Sequence, residues 1–243
     1  MSMRPKANEE WFRTLDDRFW LRSDETGQDE AAFIRKALRL RRGQRVLDAP
    51  CGAGRIAICL AKAGCIVTGV DLRRTFINRA IARFRKERAS GRFLAMDLRE
   101  LAFEAEFDAI CNWFGSFGYF SDAENADLLR RFARALRPGG RLLVDSPNRE
   151  FLLRHFRAEA DDGRFIGRSR WDADSQRVIT ARYVEGEADP RNTSSMRFCT
   201  PAQMNTLLGR ASLKIEAMYG TFDGQPYRRG SRRMITVARR GSR

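Results

Sequence analysis

Three aspartates stand at the ends of short apolar runs in the first hundred residues of this 243-residue chain. Asp48 follows Val46-Leu47, Asp71 closes I-V-T-G-V, and Asp97 follows F-L-A-M. Runs of this length read as buried strands, so each carboxylate is delivered to the end of one. After the first acid comes A-P-C-G-A-G, with Gly52 and Gly54. Pro50 has no N–H with which to prolong a ladder, and the glycines admit positive φ and let a ligand approach bare backbone. From Arg55, R-I-A-I-C-L-A-K-A-G has the spacing of an amphipathic helix ended by Gly64. The start of that helix offers unpaired N–H groups and positive dipole to an anionic group. Asp71 thus lies where a ribose diol would be held. Gly52, Gly54 and Ala57 also satisfy the loose dinucleotide fingerprint. A pyrophosphate site, however, would want an apolar residue at position 48. A carboxylate there suits a ligand bearing an ammonium or sulfonium, and the glycine turn suits that ligand's own carboxylate.

The elements that must carry these residues alternate. After Asp71, Phe76, Ile77, Ala80, Ile81 and Phe84 recur at helical spacing. F-D-A-I-C-N-W is a fourth strand, ending at Asn112 and Trp113. Asp122 is placed to cap a helix with Leu128, Leu129, Phe132, Ala135 and Leu136 on one face, stopped by Pro138-Gly139-Gly140. Arg141 to Asp145 is strand five. Alternating strands and helices predict a doubly wound parallel sheet, whose ligands sit beyond the carboxyl ends of the strands where the order reverses. From Asn148 the pattern changes to a short helix at Glu150–Phe156. Three strands follow, in R-F-I-G-R-S-R-W, R-V-I-T-A-R-Y-V and S-M-R-F-C-T, which implies an antiparallel sheet. Pro201 opens a last helix, and L-K-I-E-A-M-Y-G and R-M-I-T-V-A-R-R supply two more strands. Residues 5–22, with Trp11, Phe12, Leu15, Phe19, Trp20 and Leu21 among charges, suit an amphipathic helix. Three regions result: residues 1–42, an N-terminal helical segment; 43–147 with 201–243, the α/β domain; and 148–200, a small antiparallel insertion.

Composition bounds the class. Hydrophobic content of 43% with 32% charged residues is that of an ordinary globular protein. The net charge of +15 is not ordinary and favours polyanionic partners such as RNA. The basic residues are mostly Arg and are spread along the chain, which is the pattern of a solvated surface. The five cysteines form no C-x-x-C pair, so neither a disulfide framework nor a zinc site is expected. Met1 to Arg18 is charged along its length, and no apolar run approaches the ~18 residues that cross a bilayer; a cytoplasmic protein with no membrane partner is expected.

V-L-D-A-P-C-G-A-G-R, V-T-G-V-D-L, M-D-L and L-R-P-G-G-R-L-L-V-D, in this order from Val46 to Asp145, resemble the motifs of class I S-adenosylmethionine-dependent methyltransferases. The likeness is greatest to the small-molecule type related to the quinone-biosynthesis C-methyltransferases and the glycine N-methyltransferase group. It implies a Rossmann-like, mostly parallel seven-stranded sheet and S-adenosylmethionine as cofactor, with S-adenosylhomocysteine as product. It places the backbone at Asp48, Ala49, Gly52 and Gly54 on the methionine moiety, with Asp48 near its ammonium. Asp71 would accept from the ribose hydroxyls and Leu72 touch the adenine. Asp97 would accept from the adenine amino group, flanked by Met96 and Leu98. Asn112 or Trp113 would offer backbone carbonyl, and the N-terminal helix would form a lid through Phe19 or Trp20 and Arg22.

Transfer from a sulfonium is an in-line displacement that needs alignment and dryness; a base is needed only if the nucleophile arrives protonated. His155, Tyr119, Tyr227 and Asp145 are the candidates. The aromatic run Trp113 to Phe120 follows strand four and faces the expected pocket. Trp113, Tyr119, Arg197, Tyr227 and Arg228 are therefore candidate acceptor contacts, with Arg229 beside them. No metal site is expected. The expected reaction is methyl transfer to N, O or C of a small metabolite or natural product. An RNA methyltransferase is the alternative raised by the charge, although Asn112-Trp113-Phe114-Gly115 stands where an N-P-P-Y-type turn would be. An NAD(P)-dependent oxidoreductase is the remaining alternative.

Overall fold

In the computed structural model the described residues are Phe12, 27–161, 163, 166–186 and 188–241. The expected N-terminal helix, with Trp20 and Arg22, falls outside them except for Phe12. The elements in order are α1 (Gly27–Leu38), β1 (Arg45–Asp48), α2 (Arg55–Lys62), β2 (Ile66–Asp71), α3 (Arg74–Lys86), β3 (Gly91–Ala95), β4 (Phe107–Asn112), α4 (Asp122–Ala135) and β5 (Leu136–Pro147). Then come α5 (Arg149–Arg154), β6 (Glu159–Asp161), β7 (Ile166–Asp172), β8 (Arg177–Tyr183), β9 (Asn192–Arg197), α6 (Pro201–Arg210), β10 (Leu213–Tyr219) and β11 (Arg233–Arg240).

One seven-stranded sheet has the order β10-β11-β5-β4-β1-β2-β3. Strands β1 to β5 run parallel, while β11 pairs antiparallel with β5 and β10 with β11. Alternation along the central strands splits the core into two layers. Val46, Ala109, Cys111 and Leu143 face α1 and α2 through Phe33, Ile34, Ile56 and Leu60. Leu47, Ile110, Leu142 and Val144 face α4 and α6 through Leu128, Leu129, Phe132, Met204 and Leu208. The crossovers lead from β1 outward to β3 and then back to β4 on its other side. The reversal lies between β1 and β4, which opens a crevice beyond Asp48 and Asn112.

Several local expectations change. Ser121, not Asp122, caps α4: its hydroxyl accepts from the Glu124 N–H while the Glu124 carboxylate accepts from the Ser121 N–H, a reciprocal box. Strand β5 begins at Leu136, directly after α4, and Pro138–Gly140 bulge out of it, since Phe107 faces Leu136 while Ala109 faces Arg141. Ile81 is 41% exposed; the buried stripe of α3 is Phe76, Ile77, Ala80 and Phe84. The second sheet has four antiparallel strands, β6-β7-β8-β9, rather than three. Its first strand, Glu-Ala-Asp, lacks the β-branched and aromatic residues by which a strand is read. Among the described residues no helix is long and apolar enough to cross a membrane.

Candidate functional site

The crevice at the reversal encloses about 1460 Å³, open mouth included. Its floor is the turn from Asp48 to α2. Gly52 and Gly54 adopt φ of 53° and 76°, and a Cβ on Gly54 would stand 3.0 Å from that of Ala80. Close packing of α2 on α3 thus depends on that missing side chain. The Cys51 N–H donates to the Val70 carbonyl and the Gly52 N–H to Asp71 Oδ2, at 2.9 Å each, so the turn is tied to β2.

Asp48 is 2% exposed, and its Oδ2 has no hydrogen-bond partner. Burial and the nearby Asp71 carboxylate push its carboxyl up to about 8. A buried carboxyl oxygen without a donor is costly, and a ligand ammonium is the group that would relieve it. Asp71 accepts from the Gly52 and Arg73 N–H groups, one on each oxygen, which fixes the carboxylate plane and leaves lone pairs toward the crevice. Asp97 lies two residues past the end of β3, where it caps the turn Leu98–Glu100. Its oxygens receive the Arg99 guanidinium at 2.6 Å and 3.1 Å, and Arg99 also reaches Glu124. Burial, with Asp48 and Asp71 close by, holds the Cys51 thiol well above its usual range; it fills space as a neutral group.

Of the expected cofactor contacts, Asp48, Gly52, Asp71, Leu72, Asp97, Leu98 and Trp113 line this one crevice. Ala49 and Asn112 are fully buried behind it, where the Asn112 amide donates to the Ala49 carbonyl at 2.7 Å and its Oδ1 has no partner. Gly54 and Met96 do not line it; the first shapes the helix start and the second packs on the core. The residues present fit S-adenosylmethionine: a buried acid awaiting a cation, an acid poised for a diol and a bare glycine floor.

The acceptor candidates divide. Tyr119 also lines the crevice, in edge contact with Phe12 at 4.9 Å, and burial pushes its phenol up to about 12. Trp113 is buried, its ring between Phe33 and Phe222. The remaining candidates do not line the crevice. His155 is exposed just past α5, stacked on Phe151 at 4.1 Å with Nδ1 2.9 Å from the Phe151 carbonyl. Arg197 donates to the Ser175 carbonyl, Tyr227 to Asn148 Oδ1, and Arg228 is exposed on the turn that follows. Asp145 is 0% exposed and clamped by both ends of the Arg233 guanidinium at 2.5 Å and 2.6 Å, which removes it as a free base.

Glu30 is a further site residue. It is 5% exposed on α1, and its Oε2 accepts from Arg55 at 2.8 Å and from the Trp113 indole at 2.5 Å. One carboxylate therefore joins α1, the start of α2 and the loop after β4. The signal in the sequence is an acid three and four residues before Phe33 and Ile34, on their apolar face. Glu30→Ala leaves Arg55 half-buried without this partner and is expected to cost about 3 kcal/mol, read by urea unfolding. A loss below ~1 kcal/mol would mean that the pair contributes as little as a surface one.

Residues 46–140 match the family model described as a methyltransferase domain. Along most of its length the chain is similar to the cypemycin N-terminal methyltransferase of a Streptomyces species, 28% identical over 82% of this chain and 84% of that one. It spans about half the length of the other curated relatives it matches. Among solved structures it is similar to the methyltransferase CcbJ of Streptomyces caelestis, with TM-score 0.76 and 18% identity over 91% and 93% of the two chains. An S-adenosylmethionine-dependent methyltransferase of Clostridium acetobutylicum gives TM-score 0.75 and 14% identity over 97% and 98%.

Proposed function

We propose that this chain, a class I S-adenosylmethionine-dependent methyltransferase, methylates the amine nitrogen of a small peptide-like natural product. The observation that carries the choice of nitrogen is the state of the proton-bearing groups around the crevice. Asp145 is clamped by Arg233, His155 lies outside, and Tyr119 holds its proton far above neutral pH. Among the described residues, the acids that line the crevice are those fitted to the cofactor. A phenol or alcohol would need a base to release its lone pair; an amine brings one in its neutral fraction. Likeness over most of both chains to an enzyme named for an N-terminal amine supports the same reading.

When bound, S-adenosylmethionine supplies an already electrophilic methyl group. The chain's own work is positional. Asp48 and Asp71 fix the methionine end and the ribose of the cofactor, Phe12 and Tyr119 wall the acceptor side, and their apolar surface excludes water from the line of attack. The aromatic faces also favour a cationic product ammonium. The nitrogen proton leaves to solvent after transfer.

The test is an acceptor panel that compares a peptide with a free N-terminus, simple primary amines and phenols, followed by S-adenosylhomocysteine release. For the amine, kcat/KM should rise about tenfold per pH unit below the acceptor's own pKa, and phenols should be poor. Turnover of phenols alone would overturn the reading.

A further inference from the structure

We propose that the hydroxyl of Ser116, in the loop after β4, receives an N–H of the acceptor amine and so turns the nitrogen lone pair toward the methyl group. This rests on the reading of the acceptor as an amine. Ser116 lines the crevice on the stretch that also brings Trp113 and Tyr119 to it. Its Oγ donates to the Trp113 carbonyl at 2.8 Å. A serine hydroxyl has a single proton and two acceptor lone pairs. With that proton spent inside the loop, what the oxygen offers a ligand is acceptor capacity alone. The neighbouring wall does not duplicate it: Phe12, Phe114 and Phe120 present carbon, and the Trp113 indole donates to Glu30.

The loop is built to hold that oxygen still. Among the described residues, Phe114 is the one non-glycine residue with positive φ that lines the crevice, at 63°, and Gly115 follows at 70°. A bulky residue in this region is a backbone outlier that persists only where its surroundings enforce it, and such residues gather at ligand sites. Here Asp145 enforces it. Its Oδ2 accepts from the Phe114 N–H at 2.8 Å, and its carbonyl accepts from the Gly115 N–H at 3.1 Å. The Arg233 guanidinium that clamps Asp145 also lies 5.4 Å from the centre of the Phe114 ring. The two residues before Ser116 are therefore anchored to β5, and Trp113 is anchored to α1 through Glu30.

The chemistry of the oxygen selects the nucleophile. A neutral amine that aims its lone pair along the line of transfer turns its N–H bonds away from the methyl group, and a fixed acceptor holds it in that attitude. A phenolate or thiolate would meet Ser116 lone pair to lone pair. A neutral tertiary amine has no N–H to give. In the transfer the N–C bond forms as the C–S bond breaks, the electron pair of the broken bond stays on sulfur, and the new ammonium sheds its proton to solvent.

The test compares alanylglycinamide with its N,N-dimethyl derivative at about pH 9.5, where both N-termini are neutral. Ser116→Ala should lower kcat/KM for the primary amine by about tenfold or more. For the dimethyl peptide, kcat/KM, or the inhibition constant if it is not turned over, should change less than about threefold, since no N–H is lost. Ser116→Thr, which keeps the hydroxyl, should recover most of the activity on the primary amine. Unchanged affinity for S-adenosylhomocysteine in both variants shows that the domain is folded. Equal losses on the two peptides, no loss in Ser116→Ala, or a loss in Ser116→Thr as large as in Ser116→Ala would overturn the role of Ser116 while leaving amine methylation standing. Methylation of phenols and of neither peptide would overturn both.

Discussion

Asp48→Asn is expected to make the ligand-free protein more stable and to weaken cofactor binding by about 100-fold or more. The native carboxyl titrates near 8, far above its ordinary value of 3.8. Between about pH 4 and 8 the folded state therefore holds a proton that the unfolded chain has lost, so this group's contribution to stability falls as pH rises through that window. Asn is neutral at every pH and keeps an oxygen for the Ala57 N–H that helps hold Asp48. The variant should gain about 1–3 kcal/mol at pH 8 in thermal or urea unfolding and show no gain at pH 4. Its affinity for S-adenosylhomocysteine should fall by about 100-fold or more, since the ligand's ammonium loses its buried counter-charge. A variant that is less stable at pH 8, or that binds as tightly as the wild type, would show that Asp48 is a structural carboxylate.

Asp71→Asn should have an effect of similar size, for a different reason. Both Asp71 oxygens receive backbone N–H groups, from Gly52 and Arg73. An amide can accept only one of them and must aim its own NH₂ at the other, which unsettles the turn where the methionine end would lie. If the crevice holds the ribose diol on Asp71, two charge-assisted bonds to it are lost as well, each of about 1.5–3 kcal/mol. Affinity for S-adenosylhomocysteine should drop by about 100- to 1,000-fold, while adenine, which lacks the ribose, should bind wild type and variant alike. A change below about threefold would place the diol elsewhere.

The crevice of acids was legible in the chain because it is built from local rules. A short apolar run fixes a strand, its last residue fixes which end an acid occupies, and glycines with positive φ mark the turn between. The order of the sheet then carries Asp48, Asp71 and Asp97 into one crevice without any further information. The acceptor side follows no such rule. His155, Tyr227 and Arg228 are each turned toward a neighbour of their own: Phe151 for the first, Asn148 for the second, solvent for the third. Glu30 and Arg233 escaped for a related reason. Each is a charge whose partner lies many residues away, Arg55 and Trp113 for one and Asp145 for the other. Composition cannot separate such buried pairs from the many exposed arginines. The Arg99 clasp on Asp97 is local but was hidden by the same abundance of arginine.

The most direct measurement is calorimetric titration of the wild-type chain with S-adenosylhomocysteine at pH 6.5 and 8.5, each in two buffers of different ionisation enthalpy. If the crevice holds the ammonium of this nucleoside on Asp48, binding should expel close to one proton at pH 6.5 and far less at pH 8.5, where the ligand's own amine takes up protons on binding, with affinity rising roughly tenfold or more between them. Absence of binding, or binding with no proton release and no dependence on pH, would contradict the account.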